Sequence, residues 1–268
     1  MNALGLALHS LWRDLRSGDL SVLVGALAVA VAAMTAVGAF TERVGKVVVN
    51  RASEVLAADL VLRSNRPIPE AYDAAALDAG LETARAASFP TVVVAGDASA
   101  LAEVEAVSVG YPLRGHLEGA ESLEGPVRRL TGVPARGEAW ADPRLLARLG
   151  VGPGDRLQVG EADLSIARTI ESRPDQAWDF ADFAPTLLIN FDDVSATELV
   201  QPGSRVGYRL MLAGDPAAVR AFRTSAEPGL GVSESFRDLS DARPEIRSSV
   251  DRAKRFLGLA ALVAALLS

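Results

Sequence analysis

From Leu20 to Phe40 the chain runs for 21 residues without a charged side chain. At about 1.5 Å per residue a helix of that length reaches about 31 Å, the thickness of a bilayer's hydrocarbon core. Ser21 and Thr35 are its only side chains bearing a hydroxyl, and such groups bond back to the helix backbone, while Gly25 and Gly38 are tolerated in membrane helices. Ala26, Ala28, Ala30, Ala32, Ala33 and Ala36 let a second helix approach closely, which predicts a packed span rather than a lone anchor. A cleaved signal peptide is the competing reading, with Val37, Gly38 and Ala39 at the cleavage position. The apolar run exceeds the ~7 to 15 residues of a signal core, and 19 residues precede it, so a retained transmembrane helix over residues 20–40 is expected.

The leader has its own pattern. Leu4, Leu8, Leu11, Trp12 and Leu15 fall on one helical face, with Ser10, Arg13, Asp14 and Arg16 opposite, which predicts an amphipathic helix within residues 1–19, lying on the membrane surface or leading into the span. At the other end, Phe256 to Leu267 is apolar or small throughout and follows Arg252, Lys254 and Arg255. A free carboxylate at the end of an uncapped apolar helix is costly in a core or in lipid. Residues 256–268 are therefore expected to begin a second membrane helix that a longer chain completes. Charge does not orient the spans, because the first 19 residues hold two Arg and two Asp and a long domain escapes the positive-inside rule.

Between these segments, residues 41–255 contain no low-complexity tract or clear repeat and read as one folded unit of mixed α/β or α+β class, carried on helical stalks. Val44, Val47, Val48, Val55 and Leu56 keep helical spacing, so the first stalk is expected to run to Leu56 before the chain turns extended at Leu60. Helices are predicted over 69–79, from the Asp142 cap to Gly150, after Asp192 or Asp193, and from Asp215 and Pro216. Strands are predicted over 91–95, 104–109, 156–159, 163–170, 186–191 and 205–212.

Several chemistries are disfavoured. The net charge of −7 argues against a general nucleic-acid partner. Without cysteine there is no disulfide, thiolate ligand or cysteine nucleophile, and the two histidines, His9 and His116, lie too far apart in sequence to suggest a zinc site. The one Gly-Lys pair, Gly45 and Lys46, is followed by Val47 and preceded by Phe40 where a phosphate loop needs glycine. Gly150, Gly152 and Gly154 follow a predicted helix and lead into a strand, the reverse of a dinucleotide turn, so they are expected to form a plain turn. No serine sits in a nucleophile elbow. Asp175, Asp179 and Asp182, interleaved with Trp178, Phe180 and Phe183, could bind a cation or ligand; a solvated loop with aromatic anchors is the preferred reading. No catalytic, cofactor-binding or metal-binding residue is therefore expected, and no enzymatic activity.

Two stretches carry a resemblance: Leu56 to Pro67 (LAADLVLRSNRP) after the first span, and Val200 to Val206 (VQPGSRV) before a strand. With Arg252 to Leu257 entering the second span and the overall layout, they resemble the FtsX/MacB-like ABC transporter permease family across essentially all 268 residues. The resemblance implies a multi-pass inner-membrane permease of which this is the N-terminal portion, with residues 41–255 as a MacB-like periplasmic domain. It implies a separate ABC ATPase as partner, a second permease copy, and contact with membrane lipids. Such permeases pass ATP-driven closure outward as mechanical motion, in export or envelope remodelling. The cargo is left open, with lipids or other hydrophobic molecules the class implied. The matching residues Arg63, Arg66, Gly203 and Arg205 carry no catalytic role from the family and are expected to serve turns, caps and salt bridges. The rival from another class is a single-span anchored extracytoplasmic binding or scaffold domain ending near residue 255; a secreted hydrolase after signal cleavage ranks last.

Overall fold

The computed structural model describes Thr35 and residues 56–175, 184–201 and 203–238. Apart from Thr35, which is helical, these all belong to one compact unit, Asn50–Ala242. The predicted leader helix, the rest of the 20–40 span, both stalks except Leu56, the 256–268 segment, Gly45, Lys46, His9 and all of the aromatic loop beyond Asp175 lie outside the described residues. Among the described residues no helix is long and apolar enough to cross a membrane.

Eleven strands and three helices are described. In chain order they are β1 (Leu60–Ser64), α1 (Ala71–Asp78), β2 (Glu82–Ala95), β3 (Ala98–Val107), β4 (Leu117–Gly119), β5 (Arg128–Leu130) and β6 (Glu138–Ala141). Then follow α2 (Pro143–Leu149), β7 (Arg156–Val159), β8 (Ala162–Thr169), β9 (Thr186–Asn190), β10 (Gly207–Ala213), α3 (Pro216–Ala226) and β11 (Glu234–Asp238). Nine strands form one sheet in the order β11-β1-β10-β2-β3-β9-β6-β8-β7, and β7 also pairs with β2. That last pairing closes β2, β3, β9, β6, β8 and β7 into a barrel, leaving β10, β1 and β11 as an open extension. The long β2 belongs to both parts.

Each part has its own core. The barrel interior is alanine-rich, with Ala87, Ala95, Ala102, Ala106, Ala139 and Ala141 buried among Phe89, Val104, Leu157, Ile166 and Leu187, as a six-stranded interior leaves little room for larger side chains. Helix α2 plugs it with Leu145, Leu146 and Leu149. Under the open sheet, Leu60, Leu62, Leu210 and Leu212 pack against Val219 and Phe222 of α3 and Phe236 of β11. A third cluster on the opposite face joins Val61, Met211, Ala84 and Ala86 to Tyr111, Leu117, Trp140 and Ile170.

The caps expected from sequence are present. Asp142 accepts a bond from the Arg144 amide at 2.7 Å, Pro143 starts α2, and Gly150 ends it at φ +69°. Asp215 caps α3 with Pro216 at its first position. The glycine run is a turn: Gly154 sits at φ +101°, and Asp155 closes the turn by accepting from the Gly152 amide at 2.8 Å.

Three expectations need correction. Strands predicted over 91–95 and 104–109 are parts of the much longer β2 and β3, and β3 ends at Val107. Pro90 hid the first half of β2, because a proline normally demotes a strand. The helix predicted after Asp192 or Asp193 is instead two 3₁₀ turns, Phe191–Asp193 and Ser195–Thr197, with Asn190 as the cap of the first. Glu198 at φ +55° stops them. Strands β4, β5, β6 and β11 were not anticipated, being short and mostly without apolar alternation.

Candidate functional site

The third cluster carries four ionised side chains. Glu105 is the penultimate outward-facing residue of β3, in the run Ala102 to Val107. Arg209 lies in β10, between Tyr208 and Leu210. Arg173 and Asp175 come from the segment leaving β8. None of the four is more than 6% exposed. The Arg209 guanidinium reaches Glu105 Oε1 through Nη2 and Asp175 Oδ2 through Nη1 at 2.9 Å. The Arg173 guanidinium in turn reaches Glu105 Oε2 at 3.1 Å and Asp175 Oδ1 at 3.2 Å. The four charges thus close a ring of alternating sign. Tyr111 completes it by donating its hydroxyl to Asp175 Oδ1 at 2.6 Å.

Register explains the reach. Ala86 of β2 stands opposite Arg209 of β10, and the neighbouring Ser88 stands opposite Glu105 of β3. Only small side chains lie between, so the guanidinium crosses β2 diagonally. Arg63 of β1 is directly opposite Arg209, placing two like charges side by side, an arrangement that costs energy in a sheet unless acids balance it. Glu105 and Asp175 supply that balance at Arg209.

Burial by itself pushes the Asp175 carboxyl up, but Arg173, then Arg209, and the bond from Tyr111 outweigh it and hold it below its ordinary range. The phenol of Tyr111 is pushed well above its usual value, first by burial, then by the negative charge of Asp175. Asp175 is therefore an ionised member of a buried network. This corrects the reading of the acidic stretch as a solvated loop, at least at its first residue, because the two arginines reach Asp175 from a β-strand and its own segment.

A further strap holds the same segment. The Glu118 and Ala120 backbones exchange bonds with Thr169, Glu171 and Ser172, including Glu171 N to Glu118 O at 2.8 Å. The close approach requires Gly119, whose added Cβ would lie 2.0 Å from the Thr169 carbonyl oxygen. Beside the ring is a cleft lined by Leu56, Val61, Arg63, Asp175, Arg209 and Met211, with about 10 Å³ of internal room, enough for one water. The geometry suits holding elements in register rather than housing a ligand.

Of the residues marked by the sequence, Arg63 lies half-buried in β1 on this face, while Arg66 and Arg205 are exposed. Gly203 adopts φ +96° beside the bond from Ser204 N to Gln201 O, as a tight turn requires. His116 faces Glu118 at 3.0 Å, and no group of three His, Asp or Glu among the described residues could hold a metal. Sequence reasoning missed Glu105, Tyr111, Arg173 and Arg209. A charge inside an apolar strand was the available signal at Glu105 and Arg209, but their pairing across 104 positions is visible only once the strand order is known.

The first and last described strands are neighbours on the open sheet: β1 and β11 pair antiparallel, with Leu60 opposite Asp238.

Comparison with known proteins finds similarity to ABC transporter permeases and their extracytoplasmic domains. Over 257 residues, 96% of this chain, it is 34% identical to YbbP, an uncharacterised ABC transporter permease of Escherichia coli, and it spans 31% of that protein's length. The periplasmic region of MacB from Actinobacillus actinomycetemcomitans matches 72% of this chain and 95% of its own length at 10% identity, with a TM-score of 0.46. The extracellular domain of the transporter YknZ from Gram-positive bacteria matches 67% of this chain and all of its own at 8% identity and a TM-score of 0.44. No family model matches the sequence.

Proposed function

We infer that this chain, which belongs with the YbbP-type ABC transporter permeases, is the N-terminal part of a non-catalytic permease subunit. The observation that carries the reading is the 34% identity over 257 residues, 96% of the chain. In this reading residues 1–19 lie at the cytoplasmic surface, 20–40 form the first span, 41–255 stand outside the inner membrane on two helical legs, and 256–268 open the second span. The permease works with a separate ATPase and a second permease copy in a lipid bilayer, and passes the closure driven by ATP to the outer domain in export or envelope remodelling. The neighbouring strand ends at Leu60 and Asp238 support the two-leg arrangement, since a helix pair rising together from the membrane makes adjacent legs the shortest connection.

Affinity purification of the full-length gene product from detergent-extracted membranes tests this. The expected result is co-purification of an ATPase bearing a phosphate loop, with ATP turnover confined to the complex. A full-length product with a single span, or one that never associates with an ATPase, would favour the anchored binding or scaffold domain instead.

A further inference from the structure

The ladder between β2 and β10 ends at Ser88, and the ladder between β2 and β7 begins at Val93. Over the four residues from Phe89 to Val92, β2 is held by β3 alone. This is where the open sheet gives way to the barrel. Pro90 sits within the stretch, and a strand tolerates proline where no neighbour needs its missing N–H. A place with one ladder instead of two is the point of least resistance to bending, since fewer hydrogen bonds and less packing oppose it.

The charge ring lies across this junction. Arg209 belongs to β10 in the open sheet, and both carboxylates it grips come from the barrel side, Glu105 on β3 and Asp175 after β8. Arg173 ties the same two acids together from the barrel side. The barrel and the open sheet each have an apolar core of their own, and the cluster that holds the ring is the one that spans them, joining Val61 and Met211 to Trp140 and Leu188, so a change of angle leaves the first two intact and shears only the third. Apolar contact is non-directional, whereas a guanidinium between two carboxylates fixes distance and orientation. Buried ion pairs add little net stability but can select one arrangement among several.

We propose that the ring formed by Glu105, Arg173, Asp175 and Arg209 is a brace on a hinge at Phe89 to Val92, setting the angle between the barrel and the open sheet of β10, β1 and β11. With the brace broken, the two halves swing about β2 while each stays folded. The proposal concerns the domain itself and does not depend on the transport reading.

Because the chain has no cysteine, spin labels can be placed at Arg148→Cys on α2 and Arg220→Cys on α3, both exposed, in the whole chain embedded in lipid nanodiscs. Arg209→Lys keeps the charge but gives a point donor that cannot grip two acids in fixed geometry. It is expected to widen the inter-label distance distribution about twofold, as release of a hinge does. Glu105→Leu with Arg209→Met removes one opposite-charge pair together and leaves Arg173 with Asp175; it should fold and show the same widening. Leu145→Ala, in the barrel core, lowers the melting temperature without touching the ring and should leave the distribution unchanged. A parental distribution in either ring variant, or equal widening in Leu145→Ala, would overturn the brace and leave the ring as ordinary packing.

Discussion

Asp175 shows how far one residue's setting can depart from its neighbours in sequence. It opens an acidic, aromatic stretch that reads as a surface loop, yet it is 3% exposed and bonded to Arg173, Arg209 and Tyr111. Its folded pKa lies below the unfolded value, so its stabilising contribution is complete above about pH 4, where the unfolded carboxyl ionises. It is then lost as pH falls through the folded value. Denaturant unfolding of the purified chain should therefore show a midpoint that holds through the neutral range and declines below about pH 4. Asp175→Asn should be less stable at neutral pH, because two buried arginines lose a counter-charge, and its decline in acid should be shallower. An unchanged acid slope in that variant would place the proton uptake elsewhere. Nothing in the residue string singles out this partner set, since Arg209 reaches Asp175 from β10, 34 positions along the chain.

At the scale of elements, the legible parts are those with local causes. The α2 and α3 starts follow from Asp142-Pro143 and Asp215-Pro216, and β7 from the turn closed by Asp155, because caps and turns act within a few residues. Strands β4, β5 and β11 are made by their neighbours instead: Arg128 to Leu130 has no alternation of its own, and Glu234 to Asp238 is mostly polar. Gly119 belongs to this second class. It appears in sequence as one glycine among 23, but in the fold it lets β4 lie against the end of β8, where a methyl group would meet the Thr169 carbonyl. Gly119→Ala must force the strap away from Thr169, at a cost of about 1–3 kcal/mol typical of overpacking. Amide hydrogen exchange should rise at Glu118, Ala120, Glu171 and Ser172, while the α2 amides stay protected. Exchange rising equally everywhere would mean that the strap is not a separable part.

For the whole molecule, the decisive fact is that the first and last described strands are neighbours. Neighbouring strands lie about 4.8 Å apart, so Leu60 and Asp238, paired across β1 and β11, lie side by side on the open sheet. Val48 and Val250 are equally far along the chain from these two residues, which puts them at matching heights if both legs are helical. On the two-leg reading proposed above, the apolar residues Val44, Val48 and Val55 would face Ile246, Val250 and Ala253, with arginines outward, as an amphipathic pair requires. A cysteine pair at Val48 and Val250, in a chain that has no other cysteine, is expected to cross-link under mild oxidation. In the full-length complex the locked legs should stop cargo movement while ATPase binding persists, and reduction of the disulfide should restore movement. Transmission through the legs predicts that loss and its reversal together. If no paired position along the legs cross-links, or if the locked complex still moves cargo normally, the outer domain is not driven through its legs, and the single-span anchored domain becomes the better account of this chain.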